Sequence, residues 1–411
     1  ELSQADHWNQ SLLIRVPELD VKKLQSAIKE LVSYHDVLRI RYEKKRSAQG
    51  DRWAQIYQES IEIPELKSLD VSKHNENEVQ EILTDWQSGF DLQAGKLFQA
   101  GYLHGYADGS SRIYFALHHM IVDGVSWRIL TEDIKTLMDG GKLPAKGSSY
   151  RQWVSKVRGY AEDHKGESVY WQDQLKGMPS YTTQVEKEHS VSGFELDQEQ
   201  TRVLLQEASR AYHTEVNDLL LTALSYALKQ INHSSVQGIT LEGHGREDID
   251  VQIDHSRTVG WFTTAFPVRL EVRSNIKESI QYIKESLRSI PNKGIGFGSF
   301  AVRRESGYGH KDLPQISFNY LGQFDVQQGS DWQVVSEGSG VSMHSSNTDH
   351  NLININGLTG KGKLGFGIVS RLGDAATQQL SDSFQSNLIK VIEHCKEKLQ
   401  KDGSSHTPSD F

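Results

Sequence analysis

The order of elements repeats along this chain, and the repeat limits the folds open to it more than any other feature. In the first half an amphipathic stretch, "LDVKKLQSAIKELVSYHDVLR", is followed by strand-like segments, and in the second half "LDQEQTRVLLQEASRAYHTEVNDLLLTALSYALKQI" is again followed by strands. In the first stretch Val21, Leu24, Ile28, Leu31, His35 and Leu38 recur at spacings of three and four, the period of one helix face, and Asp20 is placed to cap that helix. At 411 residues the chain exceeds one compact core and suits two lobes. The expectation is an α/β protein with an N-terminal lobe over 1–175, a weakly periodic crossover over 176–194, a C-terminal lobe over 195–402 and a polar interdomain tail over 403–411.

Within the first lobe "NQSLLIRVPELD" reads as a strand, "RIRYEKK" and "RWAQIYQ" as a hairpin around a Gly-Asp turn, and "NENEVQEILTDWQSGF" as a helix. "KLFQAGYLHGYADGSSRIYFALHHM" reads as two strands; "VSWRILTEDIKTLMDG" and the Trp- and Tyr-rich run from "SSYRQW" to "QLKG" are helical. In the second lobe strands are predicted at "GITLEGHG", "TVGWFTTAFPVRL", "QISFNYLGQFD" and "LININGLTGKGKLGFGIVS", before a final helix at about 376–400.

The net charge of -9, from 45 basic and 54 acidic residues, argues against a nucleic-acid binder. No apolar run approaches the ~20 residues of a membrane-spanning helix. The single cysteine, Cys395, excludes an internal disulfide and fits a reducing compartment, the cytoplasm. The polar start "ELSQADHWNQ", without an initiator Met, reads as a domain cut from a longer polypeptide.

Chemistry concentrates in "LHHMIVDGVSWRIL", residues 117–130. Strand alternation places Ile113, Phe115, Leu117 and His119 on one face, and Tyr114, Ala116 and His118 on the other. The two histidines therefore diverge and cannot join Asp123 around one metal ion. Gly124 allows a tight strand-to-helix turn, and Asp123 is placed to cap the next helix or hold an arginine. A histidine at a strand end beside a helix N-terminus suits proton exchange near neutral pH.

"HHMIVDG" resembles the HHxxxDG signature of the superfamily of chloramphenicol acetyltransferase and the condensation domains of nonribosomal peptide synthetases, and "HDVLR" and "FDLQAGKLF" fit the condensation-type pattern. "VSWRIL", "LEGHGRE", "RTVGWFTTAFPV", "PNKGIGFG" and "FNYLGQFD" resemble the epimerization branch of that superfamily. The likeness runs in order along essentially the whole chain; only the PIQxWF-like opening of the family is missing. It implies two chloramphenicol-acetyltransferase-like lobes forming a V-shaped pseudo-dimer, with the site in a tunnel between them. It implies that His119 faces the tunnel while His118 packs structurally, and that Glu242 faces His119 across it. The substrate implied is an L-aminoacyl or peptidyl thioester on the phosphopantetheine arm of an upstream peptidyl carrier domain. The neighbours implied are an adenylation domain and a downstream condensation domain, with no cofactor bound by the domain itself.

Inverting Cα requires removing its proton and returning one to the opposite face, so two groups with suitable pKa are needed. Glu242, at the end of the strand "GITLE", and His119 are assigned those roles; which one acts on the L form stays open. The developing enolate needs donors. Tyr320 and Asn319 are candidates, as is Ser126 in the first turn after Asp123. Asp123 and Arg246 are expected to form a structural ion pair, and Trp261 and Phe262 to border the tunnel. "GIGFG" lacks the strand-turn-helix frame of a dinucleotide site and reads as loop packing. The rival readings are a peptide-bond-forming condensation domain, which needs no base at position 242, and an inactive carrier-docking domain.

Overall fold

The computed structural model describes residues 3–45, 52–59, 63–179, 185–186, 188–303, 306–323, 331–347 and 350–411. In chain order the strands are β1 (Asn9–Val16), β2 (Ile40–Lys45), β3 (Arg52–Tyr57), β4 (Lys67–Asp70), β5 (Phe98–His104), β6 (Ser111–His118), β7 (Ser190–Glu195), β8 (Val236–Gly243), β9 (Thr264–Glu271), β10 (Ile316–Gln323), β11 (Gln333–Val335), β12 (Ile353–Gly360) and β13 (Lys363–Ser370). The helices are α1 (Val21–Tyr34), α2 (Glu76–Ser88), α3 (Gly124–Met138), α4 (Tyr150–Asp163), α5 (Glu167–Leu175), α6 (Gln198–Gln206), α7 (Val216–Asn232), α8 (Ile276–Arg288), α9 (Ile295–Ala301) and α10 (Asp374–Asp402).

The chain forms two compact α/β units, each with its own sheet. The first comprises Glu1–Lys156, His244–Thr263 and Val326–Asp349; the second comprises Val157–Gly243, Thr264–Asp325 and His350–Phe411. This differs from the expected division at 176–194: the second unit begins at Val157. The first unit takes two later segments that sequence periodicity assigned to the second lobe, because their partners are long-range: the Phe262 N–H donates to Asp123 at 2.9 Å, and β11 pairs with β1.

The first unit's sheet runs β11-β1-β6-β5-β4, with β2 and β3 as a separate hairpin. Asp20 caps α1 as expected, accepting from the backbone N–H groups of Lys22 and Lys23. Val21, placed on the apolar stripe of α1, is instead 40% exposed, since it precedes the turn that meets the core. Central β6 is buried along its whole length, so both faces pack rather than one. On one face Tyr114 and Ala116 join Leu13, Leu69, Leu83, Phe90 and Leu103. The hairpin tip expected at 46–51 lies outside the described residues, as do 180–184 and 187 of the expected crossover.

The second unit's sheet runs β7-β13-β12-β10-β8-β9. Here β8, β10 and β12 are parallel neighbours, and the remaining pairs are antiparallel. Sequence reading missed β4, β7, β11 and α8, and started β9 too early: "TVGWFT" precedes the strand. "GIGFG" is not loop: Gly294 ends a turn in which Asn292, Lys293 and Gly294 all have positive φ, and Ile295–Gly298 form the start of α9. No described helix is long and apolar enough to cross a membrane. Cys395 lies wholly buried on α10, and burial pushes its thiol up to about 12.

The polar C-terminal segment is not a loose tail. Buried Lys284 of α8 donates to the Tyr212 carbonyl at 3.0 Å and to Asp410 at 2.6 Å. Ser409 donates its hydroxyl to Glu285 at 2.7 Å, and the Ser405 N–H reaches the Ala211 carbonyl at 2.9 Å. A buried ammonium without its counter-charge is destabilising, so Asp410→Ala lowers Tm in thermal unfolding by several degrees. Asp402→Ala, which removes an exposed carboxylate 3.4 Å from Lys398, leaves Tm almost unchanged. Equal melting of the two variants contradicts the bracing role of the segment.

Candidate active site

Strand β6 ends at His118, and the chain turns through His119–Ile121 before α3 begins at Gly124. The two histidines part there. His118 is fully buried; its Nε2 lies 2.7 Å from the Ala5 carbonyl, which can only accept, while the Met120 N–H donates to its Nδ1 at 3.2 Å. Both ring nitrogens are thus engaged by backbone, with the proton on Nε2. His118 is architectural.

His119 continues the β1–β6 ladder by one bond, its N–H donating to the Trp8 carbonyl at 2.8 Å. Its ring stacks on Trp8, with centroids 4.3 Å apart and planes at 19°, and meets the edge of Trp261 at 5.1 Å. Nε2 lies 3.1 Å from the amide nitrogen of Gln10, whose oxygen accepts from the Trp127 indole at 2.8 Å. Nδ1 is buried and meets no hydrogen-bonding group of another described residue, its near polar neighbour being the backbone of His119 itself. Burial lowers the pKa of His118 and of His119 below the ordinary 6.5, so both rings are neutral at pH 7. A neutral imidazole in an aromatic box is a proton acceptor that carries no charge of its own.

Asp123 organises what surrounds the turn. It caps α3 by accepting from the Ser126 N–H at 2.7 Å, accepts from the Phe262 N–H at 2.9 Å, and pairs with Arg246 at 3.3 Å. The expected ion pair and cap are therefore one structure. Arg246 also donates to the carbonyls of His255 and Thr258, at 3.0 and 2.7 Å, and its guanidinium lies 3.7 Å from the centroid of Phe262. Burial lowers the pKa of Arg246, against the pull of Asp123.

Three expectations change here. Ser126 has neither its N–H nor its hydroxyl available for an enolate: the hydroxyl donates to the Gly260 carbonyl at 2.8 Å and accepts from the Gly260 N–H and Arg246, each at 3.0 Å. Phe262 is buried against Arg246, Tyr150 and Trp153 instead of bordering an open space, whereas Trp261 does lie against His119. Gly124 has no positive φ, and a Cβ built there meets nothing within 4 Å, so the turn does not require glycine.

The remaining candidates belong to the second unit. Thr240 and Leu241 of β8 lie beside Ser317 and Phe318 of β10 in parallel register. One step further Glu242 and Asn319 share a face, and the Asn319 amide donates to the Glu242 carboxylate at 3.1 Å. Alternation turns Tyr320 to the opposite face, with Phe318. There its hydroxyl lies 3.1 Å from that of buried Thr359. Of the two candidate donors, Asn319 therefore shares a face with Glu242 and Tyr320 does not. Among the described residues no three His, Cys, Asp or Glu side chains gather as a metal site.

Sequence reasoning missed Trp8, Gln10 and Trp127. The signal was present in "HWNQS": on a strand Trp8 and Gln10 share a face, and that strand pairs with the one ending in the two histidines.

Two measurements follow from this geometry. Arg246→Ala leaves the buried Asp123 carboxylate without its counter-charge and costs about 3 kcal/mol or more in denaturant unfolding; the double variant with Asp123→Asn recovers part of that loss. For pH, the unfolded chain takes up protons that folded His118 and His119 resist, so their stabilising effect is present above pH 6.5 and lost as pH falls toward their lowered values. Unfolding midpoints followed from about pH 8 to about pH 5 decline, and decline less in His119→Gln.

The model of the condensation domain family matches residues 2–407. N-(5-amino-5-carboxypentanoyl)-L-cysteinyl-D-valine synthase of Amycolatopsis lactamdurans is 37% identical over 403 residues, covering 96% of this chain and 11% of the synthase. Gramicidin S synthase 1 of Brevibacillus brevis is 33% identical over 452 residues, covering 100% of this chain and 40% of the synthase. The chain thus spans only a part of each of these relatives. Among solved structures, the epimerization domain from the third module of tyrocidine synthetase B matches with a TM-score of 0.84 at 32% identity, over 96% of this chain and 93% of that one. The first condensation domain of the calcium-dependent antibiotic synthetase shares the fold, with a TM-score of 0.67 at 17% identity over 97% and 92% of the two chains. From its sequence match and from its two α/β units, the chain belongs to the condensation domain family.

Proposed function

We propose that this chain epimerises the Cα of an L-aminoacyl or peptidyl thioester carried on the phosphopantetheine arm of a peptidyl carrier domain. In this reading the carrier domain lies upstream in a nonribosomal peptide synthetase, beside an adenylation domain and ahead of a condensation domain. The observation that carries the proposal is the Glu242–Asn319 pair at the end of β8. A peptide-bond-forming domain has no use for a carboxylate there, whereas inversion needs a second proton-transfer group besides a histidine. The likeness at 32% identity to an epimerization domain supports the same choice.

In the reaction the Cα–H bond breaks and its electron pair moves into the thioester carbonyl, giving a planar enolate. The Cα–H bond then re-forms on the other face. Sulfur donates weakly to the carbonyl, which makes this α-proton more acidic than that of an ester. His119, neutral and buried, and Glu242, oriented by Asn319, are the groups that take and return the proton. Asn319 uses one amide hydrogen on Glu242; in this reading its second amide hydrogen is the donor to developing negative charge. Asp123, Arg246 and Ser126 hold the His119 turn and take no part in the transfer. The reading calls on no cofactor bound by the domain.

The test is solvent exchange. L-aminoacyl-phosphopantetheine on its carrier is incubated with the chain in D2O, then hydrolysed and analysed for chirality and deuterium at Cα. The proposal expects D product carrying deuterium, with a loss of about 10²-fold or more in Glu242→Gln and in His119→Ala. Absence of exchange with carrier binding intact overturns it in favour of condensation or docking.

A further inference from the structure

The hydrogen bonds around His119 determine which of its nitrogens holds the proton. The Trp127 indole N–H can only donate, so the Gln10 atom 2.8 Å from it is the amide oxygen. That assignment leaves the Gln10 NH2 group facing His119 Nε2 at 3.1 Å. An NH2 group can only donate, so Nε2 must present its lone pair and the proton of the neutral ring sits on Nδ1. Gln10 is held for this near the start of β1, two residues after Trp8, whose indole stacks on the ring. The neighbouring His118 has the opposite tautomer, so the difference comes from partners and not from residue type.

We propose that Gln10, oriented by Trp127, is a positioning residue that keeps the lone pair of His119 on Nε2 and opposes protonation at that atom. When Nε2 gains a proton, two donors face each other across the contact. The imidazolium then either displaces the Gln10 amide or gives the proton back. A group that must both take and release a proton in each turnover benefits from an arrangement that does not trap the charged form. This consequence for turnover rests on the role given to His119 above; the tautomer does not. Among the described residues the charged or titratable groups acting on the ring are His118 and Asp123, the latter paired with Arg246.

The tautomer is read by nitrogen NMR of the ring in histidine-labelled protein, with the His119 signals assigned through His119→Gln. In the wild type Nδ1 carries the proton and Nε2 is bare. Trp127→Phe removes the donor that orients the amide, so a fraction of Nε2–H appears. Gln10→Glu presents a carboxylate, which moves the proton to Nε2 and holds the imidazolium to higher pH. On carrier-bound substrate Gln10→Glu lowers kcat by about tenfold or more with KM little changed, and shifts the acid limb of the pH profile upward. Near-UV circular dichroism checks folding, and Trp127→Phe is the milder variant if Gln10→Glu fails. A protonated Nε2 in the wild type overturns the proposal, as does an unchanged tautomer in folded Trp127→Phe and Gln10→Glu proteins. Failure of epimerization itself, with these NMR shifts present, overturns the assigned function and leaves the positioning role standing.

Discussion

A single buried carboxylate holds the first unit's chemistry in place. Asp123 is 3% exposed and accepts from the start of α3, from the backbone at Phe262 and from Arg246. Each contact ties a different stretch of chain to the turn carrying His119. Because the carboxylate is out of water, its charge is affordable only with these donors present. Ser126 completes the arrangement by bonding both backbone groups of Gly260. The 244–263 segment is thereby clamped to the start of α3, and Trp261 is brought against the His119 ring.

Adjacent histidines illustrate how environment divides identical side chains. His118 has both nitrogens bonded to backbone, which leaves no atom for a substrate. His119 has one nitrogen against a side-chain amide and the other against no hydrogen-bonding group of another described residue. The first arrangement fixes the strand end; the second leaves a ring whose protonation state can change. In the second unit the same principle separates Asn319 from Tyr320, which are also adjacent. One faces Glu242 and the other meets Thr359.

Local features were legible in the sequence because their causes are local. The Asp20 cap, the helix periods and the divergence of the two histidines depend on residues within a turn or two of one another. The signature residues His119, Asp123, Glu242 and Arg246 could be named because their spacing resembles a known family. The unit boundaries could not be read, because β11 and residues 244–263 are placed by partners far away in sequence. Nor could the saturation of Ser126, which depends on Gly260, or the role of Gln10, which depends on Trp127 more than a hundred residues later. Tyr320 is a simpler case: within "FNYLG" strand alternation alone divides Asn319 from Tyr320.

The interleaved segments also bear on how the polypeptide matures. A chain emerging from the ribosome folds domain by domain where each domain is contiguous. Here the first unit lacks its clamp until residues 244–263 have been made, and lacks its edge strand until 333–335 follow. Until then Asp123 is without Arg246, and the outer edge of β1 is unpaired. The second unit waits for α10 and the segment bound to Lys284. Neither unit can finish early, so both should close late and almost together, with an exposed strand edge as the interval's principal hazard.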